Sequence, residues 1–227
     1  MLSLGIPAER ISLTNFTVDN DWWIAQSERV DRAAVRAAWG ATLDSSVVLF
    51  CAKLQSWKRP FDLLYGFAQA KVADAVLVFA GDGPLRAQLE EQAVCLGISG
   101  RVRFLGFVNQ SQLPSVYAAA DLMVLPSEYE PFAVVVNEAS CCGCAVAASD
   151  RVGAARDLIA PVNPDLIYPC GNIEAMAALL RRTLADRANL AQMGRAARRH
   201  LSTWTYHESI AGALDAIQHA RSHSSQR

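Results

Sequence analysis

Short apolar runs rich in β-branched residues recur along the chain at residues 47–51, 75–80, 102–105, 122–125, 145–148 and 166–168, each bounded by Gly, Pro or Asp. A run with no polar alternation must be covered on both faces, which is the condition of a parallel sheet. Parallel neighbours in turn need a crossover of a dozen or more residues, usually helical. Helical patterns lie where those crossovers belong, at 61–72, 85–96, 112–119, 134–142, 154–159 and 173–185, and further helices are expected at 186–201 and 207–221. The expectation is an α/β fold: a doubly wound, parallel, Rossmann-like sheet with helices on both faces.

Such a sheet binds ligands outside the carboxyl ends of its strands. The richest segment there is EPFAVVVNE, Glu130 to Glu138, which follows an apolar strand and a Pro and leads into a helix. Three consecutive valines, Val134 to Val136, favour a strand by propensity alone. Asn137, Glu138, Ala139 and the Gly143 stop favour a helix, and a helix is the reading adopted. A helix start offers free N–H groups and a positive dipole end to phosphate, while flanking carboxylates accept hydrogen bonds from hydroxyls. A nucleotide-sugar carries those groups in that order.

Composition narrows the class. The 227 residues are 52% apolar and 19% charged, and 21 Lys plus Arg nearly cancel 22 Asp plus Glu. A globular domain follows, with no global attraction to nucleic acid. No apolar stretch approaches the roughly 18 residues that span a bilayer, and no signal-peptide pattern opens the chain, so the expectation is cytoplasmic. The six cysteines, Cys51, Cys95, Cys141, Cys142, Cys144 and Cys170, lack paired CxxC spacing and read as reduced, buried thiols.

Several motifs carry a family resemblance in order: CAKLQSWKRPFDLL from Cys51, VFAGDGPL from Val78, RVRFLGFV from Arg101, LPSEYEPFAVVVNEASCCGCAVAASD from Leu125 and VGAARDLI from Val152. Over nearly its whole length the chain resembles the C-terminal donor-binding domain of retaining GT-B glycosyltransferases of family four, the group 1 glycosyl transferases. That resemblance implies a linker or N-terminal-domain remnant over 1–30, a nucleotide-sugar donor-binding domain over 31–203, and a return helix with a frayed tail over 204–227. It implies a UDP-, GDP- or ADP-sugar as donor, no cofactor and no metal, and an acceptor domain or partner chain absent from this sequence. The chain alone is then expected to transfer nothing.

By the same resemblance Lys53 and Lys58 hold the departing diphosphate, and Glu130 meets the donor hexose; these three are the catalytic candidates. The amides of Phe132, Ala133 and Val134 face phosphate. Glu138 takes both ribose hydroxyls, a diol that matches the two oxygens of one carboxylate. Phe107 and Val108 contact the base through their main chain. Lys53, Ala52, Ala133, Ala154 and Asp157 depart from the residues usual in the family. Packing explains the Phe107 side chain equally well, and solvated surface charge is the competing account of both lysines.

The remaining polar features read as structural. His200, His207, His219 and His223 lie toward the C-terminus, away from those loops. The Gly81 to Pro84 turn fails as a dinucleotide fingerprint because Arg86 stands at the third glycine position. Asp19, Asn20 and Asp21 resemble a metal motif of another transferase fold but sit in the linker. Arg181, Arg182, Arg187, Arg195, Arg198 and Arg199 read as a solvated helix face rather than a membrane contact. Two rivals stand beside a retaining transferase: a catalytically incomplete nucleotide-binding module or truncated gene product, and another GT-B enzyme, either an inverting transferase or a nucleotide-sugar epimerase.

Overall fold

A computed structural model describes residues 5–224. The strands are β1 (Ser46–Cys51), β2 (Ala75–Ala80), β3 (Val102–Gly106), β4 (Leu122–Leu125), β5 (Ala145–Ser149) and β6 (Ile167–Tyr168). They form one parallel sheet in the order β3-β2-β1-β4-β5-β6. In β1, Val47, Val48, Leu49 and Phe50 are all fully buried, as a strand covered on both faces requires. Burying each such side chain contributes about 1.5–3 kcal/mol.

The helices are α1 (Asn20–Ser27), α2 (Arg32–Ala38), α3 (Pro60–Ala70), α4 (Arg86–Cys95), α5 (Leu113–Ala119), α6 (Val134–Cys141), α7 (Ile173–Ala185), α8 (Arg187–His200) and α9 (Tyr206–Ser224). Helices cover both faces of the sheet; α3 packs on α7, while α1, α5 and α6 pack together. Capping residues fix several starts. Asp31 accepts from Ala34 N at 3.0 Å and Asn172 from Ala175 N at 2.9 Å. The pattern at 154–159 is a helical turn of π type, Ala155–Ile159, in which Ala160 N donates to Ala155 O at 2.9 Å.

Part of the segment read as linker is core. Asp19 caps α1 by accepting from Trp22 N at 3.0 Å, and Trp23 on that helix is buried against Tyr117 with ring centroids 5.8 Å apart. Capping therefore accounts for the first residue of the Asp19-Asn20-Asp21 triplet. The strap before α1 runs beside α9: Ser209 Oγ donates to Asn15 O at 3.0 Å, and Trp204 Nε1 to Phe16 O at 2.9 Å. Of the expected frayed tail, residues 225–227 lie outside the described residues, and the chain is still helical at residue 224.

A buried ion pair sets the β1/β4 junction. Arg36, with no exposed surface, donates from Nε to Ala119 O at 2.8 Å and pairs with Asp121 Oδ2 at 2.7 Å. Asp121 also accepts from Val47 N at 2.7 Å and pairs with the more exposed Arg32. Burial pulls the Arg36 guanidinium below its ordinary pKa, and the neighbouring Asp121 carboxylate opposes that pull. Because β1 neighbours both β2 and β4, the order reverses there, and the loops that leave their far ends diverge around the crevice where such sheets bind ligands.

Candidate functional site

Four loops meet at the carboxyl edge of the sheet. The loop after β1 is tied to the loop after β2 by Leu54 N to Asp82 O at 3.0 Å, and to the loop after β4 by Glu128 N to Trp57 O at 2.8 Å. The loop after β5 closes the third side, with Gly153 N donating to Glu130 O at 2.9 Å and Ala154 N to Phe132 O at 2.8 Å. This last approach requires glycine: a Cβ at Gly153 would lie 2.0 Å from the Pro131 carbonyl oxygen.

Charge gathers where the loops meet. Lys58 Nζ forms an ion pair with Glu130 Oε2, joining two residues 72 positions apart. Both side chains are mostly covered, at 19% and 16% exposure, so the pair is less screened than a surface one. Lys53 is exposed, and among the described residues no ion pair holds it. Glu138, one helical turn into α6, accepts from the Tyr117 hydroxyl at 2.9 Å, and burial pushes its carboxyl above the ordinary glutamate pKa.

The residue at the head of α6 is strained. Ala133 holds φ 85° and ψ 76°, in the region that disfavours a Cβ, and is buried. Strain of about 1–2 kcal/mol from a left-handed alanine exceeds the roughly 0.4–1 kcal/mol that glycine forfeits through unfolded-state freedom. Ala133→Gly is therefore expected to raise stability, by about 1 kcal/mol or less, in chemical denaturation. A fall in the midpoint would show the backbone there to be unstrained.

Two depressions flank the start of α6. One, of about 270 Å³, is lined by Lys53, Gly81, Asp82, Phe107, Val108 and Val135. The other, of about 520 Å³, is lined by Trp22, Trp23, Gln110, Val134, Glu138 and Tyr206. The sequence-derived residues thus fall on one edge but in separate groups: Lys53, Phe107 and Val108 share one hollow, Val134 and Glu138 the other, and Lys58 and Glu130 pair with each other. Phe132 is half-buried and packs on Phe16 at 5.0 Å between ring centroids. Phe107 projects into solvent at 77% exposure, so core packing does not account for its side chain.

Other expectations need adjustment. His200 is not remote, since its Nε2 lies 2.9 Å from the Asp157 carbonyl in the loop after β5. All six cysteines are free, yet Cys95 is exposed and Cys142 and Cys170 are only half-buried. Burial pushes the Cys141 and Cys144 thiols up to about 12. Among the described residues no cluster of three or more His, Cys, Asp or Glu is placed to hold a metal, and no helix is long and apolar enough to cross a membrane. Sequence reasoning missed Tyr117, whose hydroxyl meets Glu138 under the surface, and Cys51, whose thiol meets that hydroxyl; Tyr117 looks like any core aromatic in an alanine-rich helix.

This architecture, a six-stranded parallel sheet with helices on both faces, is the fold of the C-terminal half of a GT-B glycosyltransferase. The chain belongs to the family described as Glycosyl transferases group 1, whose model matches residues 31–200. It is 33% identical over 196 residues to a D-inositol 3-phosphate glycosyltransferase of Mycobacteroides abscessus, covering 84% of this chain and 43% of that one. It also resembles the sucrose-phosphate synthase structure from Thermosynechococcus elongatus, with a TM-score of 0.70 and 28% identity over 86% of this chain and 49% of that one. Anabaena HepE, solved with UDP and glucose, shares the fold at a TM-score of 0.73 and 24% identity, covering 99% and 59%. The chain spans less than half the length of the curated relatives compared with it, from 26% to 46%.

Proposed function

We propose that this domain binds a nucleoside-diphosphate sugar for retaining, metal-independent transfer of a hexosyl group to an acceptor hydroxyl, in the cytoplasm. The observation that carries the reading is the pairing of Lys58 with Glu130 beside the open start of α6, with Glu138 one turn further on. Breaking the anomeric bond leaves new negative charge on the diphosphate. Preorganised donors lower the barrier most when they face the charge that develops. Lys58, Lys53 and the first amides of α6 supply them, Glu130 accepts from a sugar hydroxyl, and Glu138 takes the ribose diol. Phe107 and Val108 border the hollow assigned to the base. The acceptor hydroxyl then attacks from the face the diphosphate leaves, and the departing phosphate oxygen receives its proton. Groups that hold the acceptor come from a further domain or a partner chain, in keeping with relatives of which the matched segment makes up 43% and 38%.

Titration calorimetry with UDP, GDP and ADP, each with and without magnesium, tests this. Metal-independent binding of one of them, lost in Glu138→Ala, is expected, and UDP is the first to try because the Anabaena fold neighbour was solved with it. Binding by none, or binding untouched by Glu138→Ala, would sink the donor assignment. Ala133 at positive φ favours a second reading, a module that binds nucleotide without transferring sugar. Failure to transfer even with an acceptor-binding half supplied would select it, and an inverted product anomer would select another GT-B enzyme.

A further inference from the structure

The Tyr117 hydroxyl, to which the reaction scheme gives no role, is buried between two side chains: it lies 2.9 Å from Glu138 Oε2 and 3.2 Å from Cys51 Sγ. Chemistry fixes the direction of this chain. An ionised carboxylate only accepts, so the single hydroxyl proton goes to Glu138. The tyrosine oxygen is then left to accept from the thiol. Burial keeps both donors protonated at neutral pH, raising the Cys51 thiol to about 11 and the phenol well above its ordinary value.

The three residues come from three elements. Cys51 ends β1 just before Lys53, Tyr117 lies in α5, and Glu138 sits in α6 with its carboxylate on the larger hollow. Trp23 of α1 packs against the Tyr117 ring, and the tyrosine has no exposed surface. Among the described residues, nothing donates to Glu138 Oε1. A carboxylate offers about four lone-pair sites, so one bond from Tyr117 leaves roughly three for two incoming hydroxyls. A free carboxylate on a helix would rotate among several orientations; this one is held at one oxygen from below.

We infer that Tyr117, backed by Cys51, is a positioning residue for nucleotide recognition: it orients the Glu138 carboxylate so that its remaining lone pairs meet the ribose diol. The inference rests on the assignment of Glu138 to the ribose made above. It sets Tyr117 apart from an ordinary buried tyrosine, whose removal would disturb packing without regard to the ligand's hydroxyls. It also connects the β1 end, which carries the diphosphate-side lysine, to the ribose-side carboxylate through a covered path.

The experiment compares wild type, Tyr117→Phe, Cys51→Val and Glu138→Ala by calorimetry with UDP, GDP and ADP. The nucleotide that binds is then repeated as its 2′,3′-dideoxy counterpart, over a pH series that runs from the ordinary carboxyl range up past neutrality. Tyr117→Phe is expected to weaken the ribonucleotide about tenfold, as loss of one bond to a charged group does, and the dideoxy compound less than about twofold. Recognition of the diol needs the carboxylate, so affinity falls as pH drops through the Glu138 pKa. The Tyr117 hydrogen bond lowers that pKa. Its removal is expected to move the fall to higher pH, a shift that a packing defect would not produce. Cys51→Val leaves the tyrosine proton on Glu138 and is expected to cost about twofold or less.

Equal losses for the ribonucleotide and dideoxy compounds, or an unmoved pH midpoint, would overturn the positioning role. If Glu138→Ala abolishes discrimination between the two compounds while Tyr117→Phe keeps it, the positioning role falls and the ribose assignment stands. If wild type binds none of the three nucleotides, or Glu138→Ala discriminates as wild type does, the ribose assignment falls and takes the inference with it.

Discussion

Asp121→Ala is expected to cost the folded chain about 3–5 kcal/mol, the penalty typical of stripping the partner from a fully buried charge. Arg36 is wholly enclosed, and its guanidinium keeps carbonyl contacts to Ala119 and Ser45 when the carboxylate is gone. Those bonds do not neutralise it. Desolvation already pulls its pKa down, with Asp121 as the largest opposing influence, so removal of Asp121 leaves the burial cost uncompensated. The same substitution strips Val47 N of its acceptor at the first paired turn of β1. Arg32→Ala is the matched control. Arg32 is 42% exposed, so its share of the cluster is expected to be about 1 kcal/mol or less. Denaturant midpoints of the two variants decide it. Similar losses would mean that the buried guanidinium is carried by its carbonyl bonds, not by the ion pair.

That cluster also shows where the sequence stops being legible. The strands could be read to within a residue or two because a run buried on both faces leaves no polar residue to confuse the pattern. The Val134–Cys141 helix was harder, since its valines prefer strand, and tertiary context at Ala133 and the Ser140 to Gly143 turn overrides them. Helix α1 was missed because its eight residues show no apolar stripe; only the Asp19 cap betrays it, and an Asp-Asn-Asp triplet has other readings. Nothing in RVDRAAVRAAW says that Arg36 is enclosed while Arg32 stays half open, because their shared partner, Asp121, lies 85 residues beyond Arg36. The candidate site follows the same rule. Its residues could be placed on one edge because each follows a strand, and topology puts strand ends together. Which lysine meets which glutamate, and that a buried tyrosine supports Glu138, depends on contacts across 72 and 21 positions and has no local signature.

Lys58→Ala is expected to weaken nucleoside-diphosphate binding about ten- to a hundredfold, the equivalent of one charge-assisted hydrogen bond of roughly 1.5–3 kcal/mol in a partly desolvated site. Arg199→Ala, near the end of α8, is the comparison, and should leave affinity within about twofold because an exposed charge that lines neither hollow is screened. The ion pair with Glu130 makes the expectation sharper. In the unliganded chain Lys58 is already engaged, so a diphosphate gains its charge only by drawing the ammonium away from Glu130. Part of the new contact is offset by the broken one. Glu130→Gln removes that competition, so this variant should bind the bare nucleoside diphosphate more tightly than wild type. A nucleotide-sugar should bind it with little or no gain, because the hexose loses a carboxylate that accepts from its hydroxyls. Lys58→Ala introduced into the Glu130→Gln background should then cost more than it does in wild type. If the double variant shows the same loss as the single one, the pair does not exchange partners on binding. Equal losses in Lys58→Ala and Arg199→Ala would remove Lys58 from the diphosphate altogether.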